Sequence, residues 1–507
     1  MIAPEPNTPV IVGVGFCQQK LDDPLACMEP YRLMVQALRN ASADAGNPAL
    51  LPQLESIAVE QGMWQYRNPG RLIAQELGCA DAKSILADLG VLQLTPLFDL
   101  LNAIAAGEQQ LGVVTGGEAK YRELRAKIAG VQVYDTAEPD ETPAPDVYHP
   151  TPDPFATPAE AKAGIMMPVE LFAVIESALR YHRGLGIEPH RDYLAELYGR
   201  FSRIAAQNPH AWNREIVPAA AIRDADAKNA MLAFPYTKKH NSQWNVNQAV
   251  AVIACSVAKA RELGIDQSRW IFPLAAVQSR HVVCLAEQRS LFSHPGTRMA
   301  GERAYAQAGI NAGQIDFADL YSCFPAAVQS FALDLKLEGV CPWTVTGSMA
   351  FAGGPYNHAA LDGVARMVEV LRAEAVKRPA PHFGLTSNLS GIFGKQAVAI
   401  FSDQPGEGGY GFEDITAEVA AKDPPVPSTI GYEGPAQVAG YTVSYSRNEI
   451  SHGFAYCDTA DGRRAVARSE DRGLLERMTV EEFVGRPVLI GADGTFCFPV
   501  QERNQAG

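Results

Sequence analysis

The chain has 507 residues, more than one hydrophobic core usually organises, so two or three domains are expected. Hydrophobic residues make up 47% and charged residues 20%, a balance that excludes long disorder. A net charge of −14 argues against general electrostatic binding of nucleic acid, yet leaves room for a local basic pocket that takes an anionic ligand. The nine cysteines form no CxxC pairs and no His/Cys clusters, so reduced thiols are expected and neither a metal site nor a disulfide framework is. MIAPEPNTPVIVGVG lacks the basic segment of a signal peptide, and no apolar run reaches membrane-span length. A cytoplasmic protein without membrane contact is the expectation.

In chain order, Pro9 to Gly15 (PVIVGVG) reads as a buried first strand and Tyr31 to Gly46 as a helix with a glycine stop. Leu54 to Gly62 reads as a strand, and Pro96 to Ala119 as an apolar helix followed by another. The same succession returns downstream. Gly296 to Phe324 follows the first helix–strand pair, and Gly363 to Gly391 follows the second. An α/β half is therefore duplicated, its copies beginning near residues 9 and 270.

Between the copies lies an insertion. Its first part, residues 136–161, is rich in Pro, Asp and Glu and is expected to make no regular element. Helices resume in Val169 to Gly186 and Asp192 to Asn208, and Asn247 with Gln248 is read as opening a buried helix. Gly406 to Gly411 reads as a linker. After the breaker-rich Lys422 to Pro435, short alternating runs separated by Asp461-Gly462 and Asp493-Gly494 suggest a small antiparallel barrel that closes on itself.

The second half holds DFADLYSCF, Asp316 to Phe324, where a strand runs into a turn with Tyr321, Ser322 and Cys323. About thirty residues on comes the loop Gly353-Gly354-Pro355. This order of parts resembles the thiolase superfamily over roughly residues 8 to 404, closest to its sterol-carrier-protein branch, and the added barrel resembles that of thiolase-like protein type 1. The resemblance implies an α/β chain with a duplicated thiolase fold in five layers (αβαβα), an inserted loop domain and a small OB-like C-terminal β-barrel. The implied boundaries are 1–119 for the N-terminal half, 120–265 for the insertion and its return, 266–421 for the second half and 428–507 for the barrel.

Thiolase chemistry needs an acyl-carrying cysteine, a histidine to deprotonate it, a second cysteine and oxyanion donors. By the resemblance the nucleophile's place falls near Val91 or Leu92, where only the alcohol of Thr95 is close and Cys79 is too far upstream. The Asn or His of the family's NEAF or HDCF string maps to Tyr321, the His of GHP to Gly354 and the Cys of CxG to Leu389. Thiolysis and Claisen condensation are accordingly not expected.

Three residues remain as catalytic candidates. Cys323 is a nucleophile if a base lowers its pKa and otherwise an inert buried thiol. His358 lines the pocket or acts as a base. Tyr321 stands where the family places an oxyanion-hole side chain, as in tyrosine-based retro-aldol enzymes on this fold, or simply fills space. For the ligand, Lys238, Lys239 and His240 form a cation cluster suited to coenzyme A phosphates, with Gly353, Gly354, Asn357 and Ser390 as further contacts. Arg463, Arg464 and Arg468 read as balanced surface charge beside Glu470 and Asp471. The leading reading is a binder of an acyl-CoA or related thioester with no tightly held cofactor, a monomer rather than a homodimer. The alternatives are an acyltransferase or retro-aldolase using Tyr321, Cys323 or His358, and a non-catalytic scaffold.

Overall fold

A computed structural model describes residues 4–151, 154–379 and 381–498. Five strands open the chain: β1 Pro9–Gln18, β2 Ser56–Glu60, β3 Lys83–Ala87, β4 Leu111–Ala119 and β5 Val147–His149. Two short strands, β6 Met231–Ala233 and β7 Tyr236–Thr237, belong elsewhere, and β8 Asn247–Ser256 returns to complete a sheet of order β1-β8-β4-β2-β3-β5. The second half supplies β9 Phe272–Ser279, β10 Phe317–Asp319, β11 Phe383–Ser390, β12 Lys395–Ser402 and β13 Gly411–Asp414. Their order is β10-β11-β12-β9-β13. Read from the other edge, β9-β12-β11-β10 repeats β1-β8-β4-β2, which is the duplication expressed in topology.

The halves meet through helices buried between the sheets. Thr95–Ala105 hides Leu97, Phe98, Leu101 and Ile104, and Ala359–Lys377 hides Leu361, Val364, Met367 and Val368, in one apolar cluster with side chains of both sheets. Outer helices cover the other faces. Pro30–Asp44 lies so close to β1 that a Cβ on Gly15 would strike the backbone of Ala37 and Ala41, so only glycine permits that approach.

Two expected features are corrected here. Asn247 and Gln248 open strand β8, not a helix, and that strand is buried along its whole length. The proline-rich stretch also contributes structure: β5 extends the first sheet by pairing parallel with β3, and Pro158–Ala163 forms a helix behind a Thr157/Glu160 capping box. Its residues 152–153 lie outside the described ones.

The third sheet comprises β14 Ser428–Thr429, β15 Gly434–Ser446, β16 Glu449–Thr459, β17 Arg464–Ser469, β18 Pro487–Ile490 and β19 Phe496–Cys497, in the order β14-β17-β16-β15-β18-β19, and curls into a half-barrel. Residues 499–507 of the expected barrel lie outside the described ones. This sheet does not close on itself. β15 takes β6 of the insertion as a neighbour, and three buried polar groups of the insertion bond into it. Glu160 accepts from Tyr456 at 2.8 Å, Glu170 from Ser444 at 2.7 Å, and Arg180 donates to Tyr441 at 2.9 Å and to Glu482 at 3.0 Å. Stripping these partners would leave buried polar groups unpaired, so the expectation of a self-contained barrel is corrected.

Candidate functional site

β10 ends at Asp319, whose half-buried carboxylate accepts from Val345 N at 2.9 Å, Thr346 N at 3.0 Å and Thr344 Oγ1 at 2.8 Å. These bonds lock the loop ahead of the Gly-Gly-Pro turn against the strand end. Ser322 continues the lock by accepting from Met349 N at 3.1 Å. Tyr321 N donates to Ser387 Oγ on β11 at 3.0 Å, so the Tyr321–Cys323 turn is pinned from both sides.

The Gly-Gly-Pro loop comes in over this turn. Gly353 has φ +112°, which favours glycine, and a Cβ there would collide with Gln248. A Cβ on Gly354 would collide with Ser242, while Gly354 N donates to Gln243 O at 2.9 Å. A side chain at 354 therefore has no room without displacing the loop that leads into β8.

The turn and loop open onto a cleft of roughly 760 Å³. Met167, Val169, Phe172, Leu232, Val283 and Ile392 give it apolar walls. Trp244 and Tyr356, both exposed at its rim, meet edge to face with ring centroids 5.9 Å apart. Tyr321, Cys323, Gly354, Asn357, Ser390 and Lys238 also line it. The structure thus gathers six of the candidate residues around one space.

Those six differ in what holds them. Tyr321 Oη accepts from Gln93 Nε2 at 3.2 Å, and burial pushes its phenol upward. Gln93 is itself fixed, its Oε1 accepting from Ala360 N at 2.7 Å. Burial likewise pushes the Cys323 thiol up, and no histidine, lysine or carboxylate bonds its Sγ among the described residues. Ser390 Oγ donates to Gly90 O at 2.5 Å, and Lys395 Nζ reaches the same carbonyl at 2.9 Å.

Four candidates lie elsewhere. His240 is buried beside Tyr198 and Tyr236, its Nδ1 accepts from Thr237 N at 3.2 Å, and burial lowers it to about 3. It is a neutral core ring and supplies no charge for a phosphate. Lys239 turns away to donate to Ala221 O at 2.9 Å. Gly353 faces a smaller cavity of about 210 Å³ behind the cleft, which Tyr321 also lines.

His358 sits behind the cleft too, 1% exposed at the start of helix Ala359–Lys377, with Nδ1 3.3 Å from Asp362 Oδ2. Gln93, Glu60 and Asp362 were not singled out from sequence. Glu60 carried a signal nonetheless, as an acid closing an apolar strand in SIAVE.

Residues 414–495 match the family model for the thiolase-like protein type 1 additional C-terminal domain. That segment is similar to the added domain, and it sits on a chain whose fold is thiolase-like. The whole chain superposes on a monomeric SCP2-thiolase-like protein type 1 from Mycobacterium smegmatis with a TM-score of 0.80 and 24% identity, covering 98% of this chain and 100% of that one. The Ltp2-ChsH2(DUF35) aldolase matches at a TM-score of 0.58 and 16% identity, over 79% of this chain and 99% of that one. Among curated proteins, an acetyl-CoA acetyltransferase of Methanothermobacter thermautotrophicus is 26% identical over 280 residues, 51% of this chain and 70% of that one. One from Methanocaldococcus jannaschii is 27% identical over 192 residues, 38% of this chain and 45% of that one. None of the helices among the described residues is long and apolar enough to cross a membrane.

Proposed function

We propose that this thiolase-like chain binds a coenzyme A ester, or a related thioester, with a bulky apolar acyl group, and performs neither thiolysis nor Claisen condensation. The observation that carries this is the state of the cleft's thiols. Cys323 and Cys284 line the cleft, burial pushes both upward, Cys284 to about 12, and the Cys284 Sγ donates to Pro154 O at 3.7 Å. A thiol without a neighbouring base or cation is a poor acyl acceptor at neutral pH. Coenzyme A as the carrier rests on the likeness to acetyl-CoA acetyltransferases. A bulky acyl group rests on the apolar walls and a volume inside the usual range of ligand sites, ~300–1,000 Å³. Lys238 is the free-standing cation we assign to a phosphate, as a point charge beside the insertion's return.

A second reading has one observation in its favour. Tyr321 Oη faces the cleft while held by Gln93, a posed phenol that suits an acid–base step such as retro-aldol cleavage. In either reading we take the chain as a monomer, in line with the M. smegmatis neighbour so described.

Thermal shift against acyl-CoA esters from acetyl to bulky branched or polycyclic chains tests the proposal. Bulky esters at a hundredfold excess over Kd are expected to stabilise the chain by about 2.7 kcal/mol, and acetyl-CoA by much less. A flat response across the series sinks the binding reading and leaves a scaffold.

A further inference from the structure

β2 and β4 run parallel with Glu60 opposite Gly116. Paired residues on neighbouring strands present their side chains to the same face, so Glu60 points where a Gly116 Cβ would stand. That place is taken by His358, whose own Cβ would lie 2.5 Å from such an atom and whose Cδ2 would lie 3.1 Å from it. Glu60 and His358 are therefore packed on one side of one sheet, each 1% exposed. Among the described residues, neither carboxyl oxygen of Glu60 and neither ring nitrogen of His358 has a hydrogen-bond partner.

The groups that face this pair come from every neighbouring element. Glu118 stands two residues beyond Gly116 on β4, where it accepts from Met63 N at 2.8 Å and Ala119 N at 2.9 Å. Asp362, one turn along the helix, lies 3.3 Å from His358 Nδ1. Tyr321 lies on the loop after β10, where the charge of Glu60 acts on its phenol, and Lys120 lies beyond Glu118. Asp362 and Tyr321 both line the 210 Å³ cavity, whose walls mix polar groups, Asp319 and His210 among them, with apolar ones such as Phe16 and Leu320, and which has room for several waters. Tyr321 alone of these groups also reaches the cleft.

An ionised carboxylate left unpaired in such a place costs several kcal/mol, so Glu60 keeps its proton. We infer that Glu60, His358 and Asp362 form a proton-holding relay that exchanges a proton with Tyr321 through the inner cavity. They are positioning groups for acid–base steps at the phenol. When Tyr321 gives its O–H proton to a developing oxyanion or carbanion of the ligand, the phenolate takes a proton from a cavity water. That water is restored by a proton passed from the Glu60 carboxyl by way of His358 and Asp362. Solvent later returns one proton. Only O–H and N–H bonds form and break, and nothing is oxidised or reduced.

The inference rests on Tyr321 being the proton-active group of the cleft, and not on which thioester binds. It is tested on the ligand-free full chain carrying 13Cζ-labelled tyrosine, with the Tyr321 resonance identified by its loss in Tyr321→Phe. The expected result is a step in that resonance across the acidic-to-neutral range, abolished or displaced in Glu60→Gln and in Asp362→Asn. Asp362 borders the cavity, so its variant decides the matter should Glu60→Gln fail to fold. No step in the wild type, or a step unchanged in either folded variant, overturns the relay. Thioester binding by thermal shift is scored separately: binding without a step sinks the relay alone, and a step without binding sinks the proposed ligand alone.

Discussion

On the cleft side of Tyr321 the ionisable groups are thiols with nothing to activate them; on the inner side they are carboxyls and an imidazole with few bonds to hold them. Both sets stand at strand or helix ends of the duplicated halves, where α/β folds gather their chemistry. What separates them is the company they keep. Cys323 looks onto an apolar wall that includes the Phe172–Phe324 stack, centroids 4.6 Å apart, and its proton has nowhere to go. Glu60 looks onto His358 across a glycine, and its proton has a place to move. Position in a fold supplies access, and the facing side chain supplies reactivity.

Breaking the inner side should have the largest effect. Gly116→Ala places a methyl against the His358 Cβ, which cannot swing away as the tip of a long side chain would, and should cost about 3 kcal/mol in denaturant unfolding. An unchanged midpoint would mean that His358 does not sit there.

Glu60→Gln sharpens the contrast through pH. Burial, and then the charge of Asp362, raise the Glu60 carboxyl well above its ordinary value. The folded chain therefore keeps this proton at pH values where the unfolded chain has lost it. Wild-type stability is intact below the unfolded pKa and falls as pH rises from there toward the raised value. The glutamine variant lacks this term. Its advantage should be near zero in acid and grow with pH, by at most about 1.4 kcal/mol per unit, until the raised value is passed. Melting curves across pH check this, and an advantage that shrinks as pH rises would contradict it.

The thiol side should be nearly silent. Cys323→Ala should change thioester affinity less than about threefold, or about 0.6 kcal/mol, by titration calorimetry. A tenfold loss would return Cys323 to the centre of the site.

Much of the fold was legible because its signals are local. The apolar run of β1 and the alanine-rich helices with glycine stops recur in the second half, and the two sheets repeat their strand order. β8 was misread because a strand buried on both faces, NQAVAVIACS, loses the alternation that marks a strand. The half-barrel's strands were readable but its dependence on Met231–Ala233 was not, since that pairing joins residues far apart in sequence. In the site, Tyr321, Cys323 and the Gly-Gly-Pro loop stood out by type and spacing. His240 misled because Lys238-Lys239-His240 reads as one cation cluster, whereas the fold turns the three side chains to different surroundings. Glu60 escaped notice because an acid at a strand end usually meets water, and only the sheet register reveals that this one meets His358.

The central claim, that this cleft takes a thioester without passing its acyl group to a thiol, is tested most directly by intact-protein mass spectrometry. The full chain is incubated with a bulky 3-ketoacyl-CoA that gives a thermal shift, together with free coenzyme A, and then quenched in acid. The account predicts the unmodified mass and no acyl adduct at Cys323 or Cys284. An adduct of the acyl mass mapped to either cysteine would contradict it.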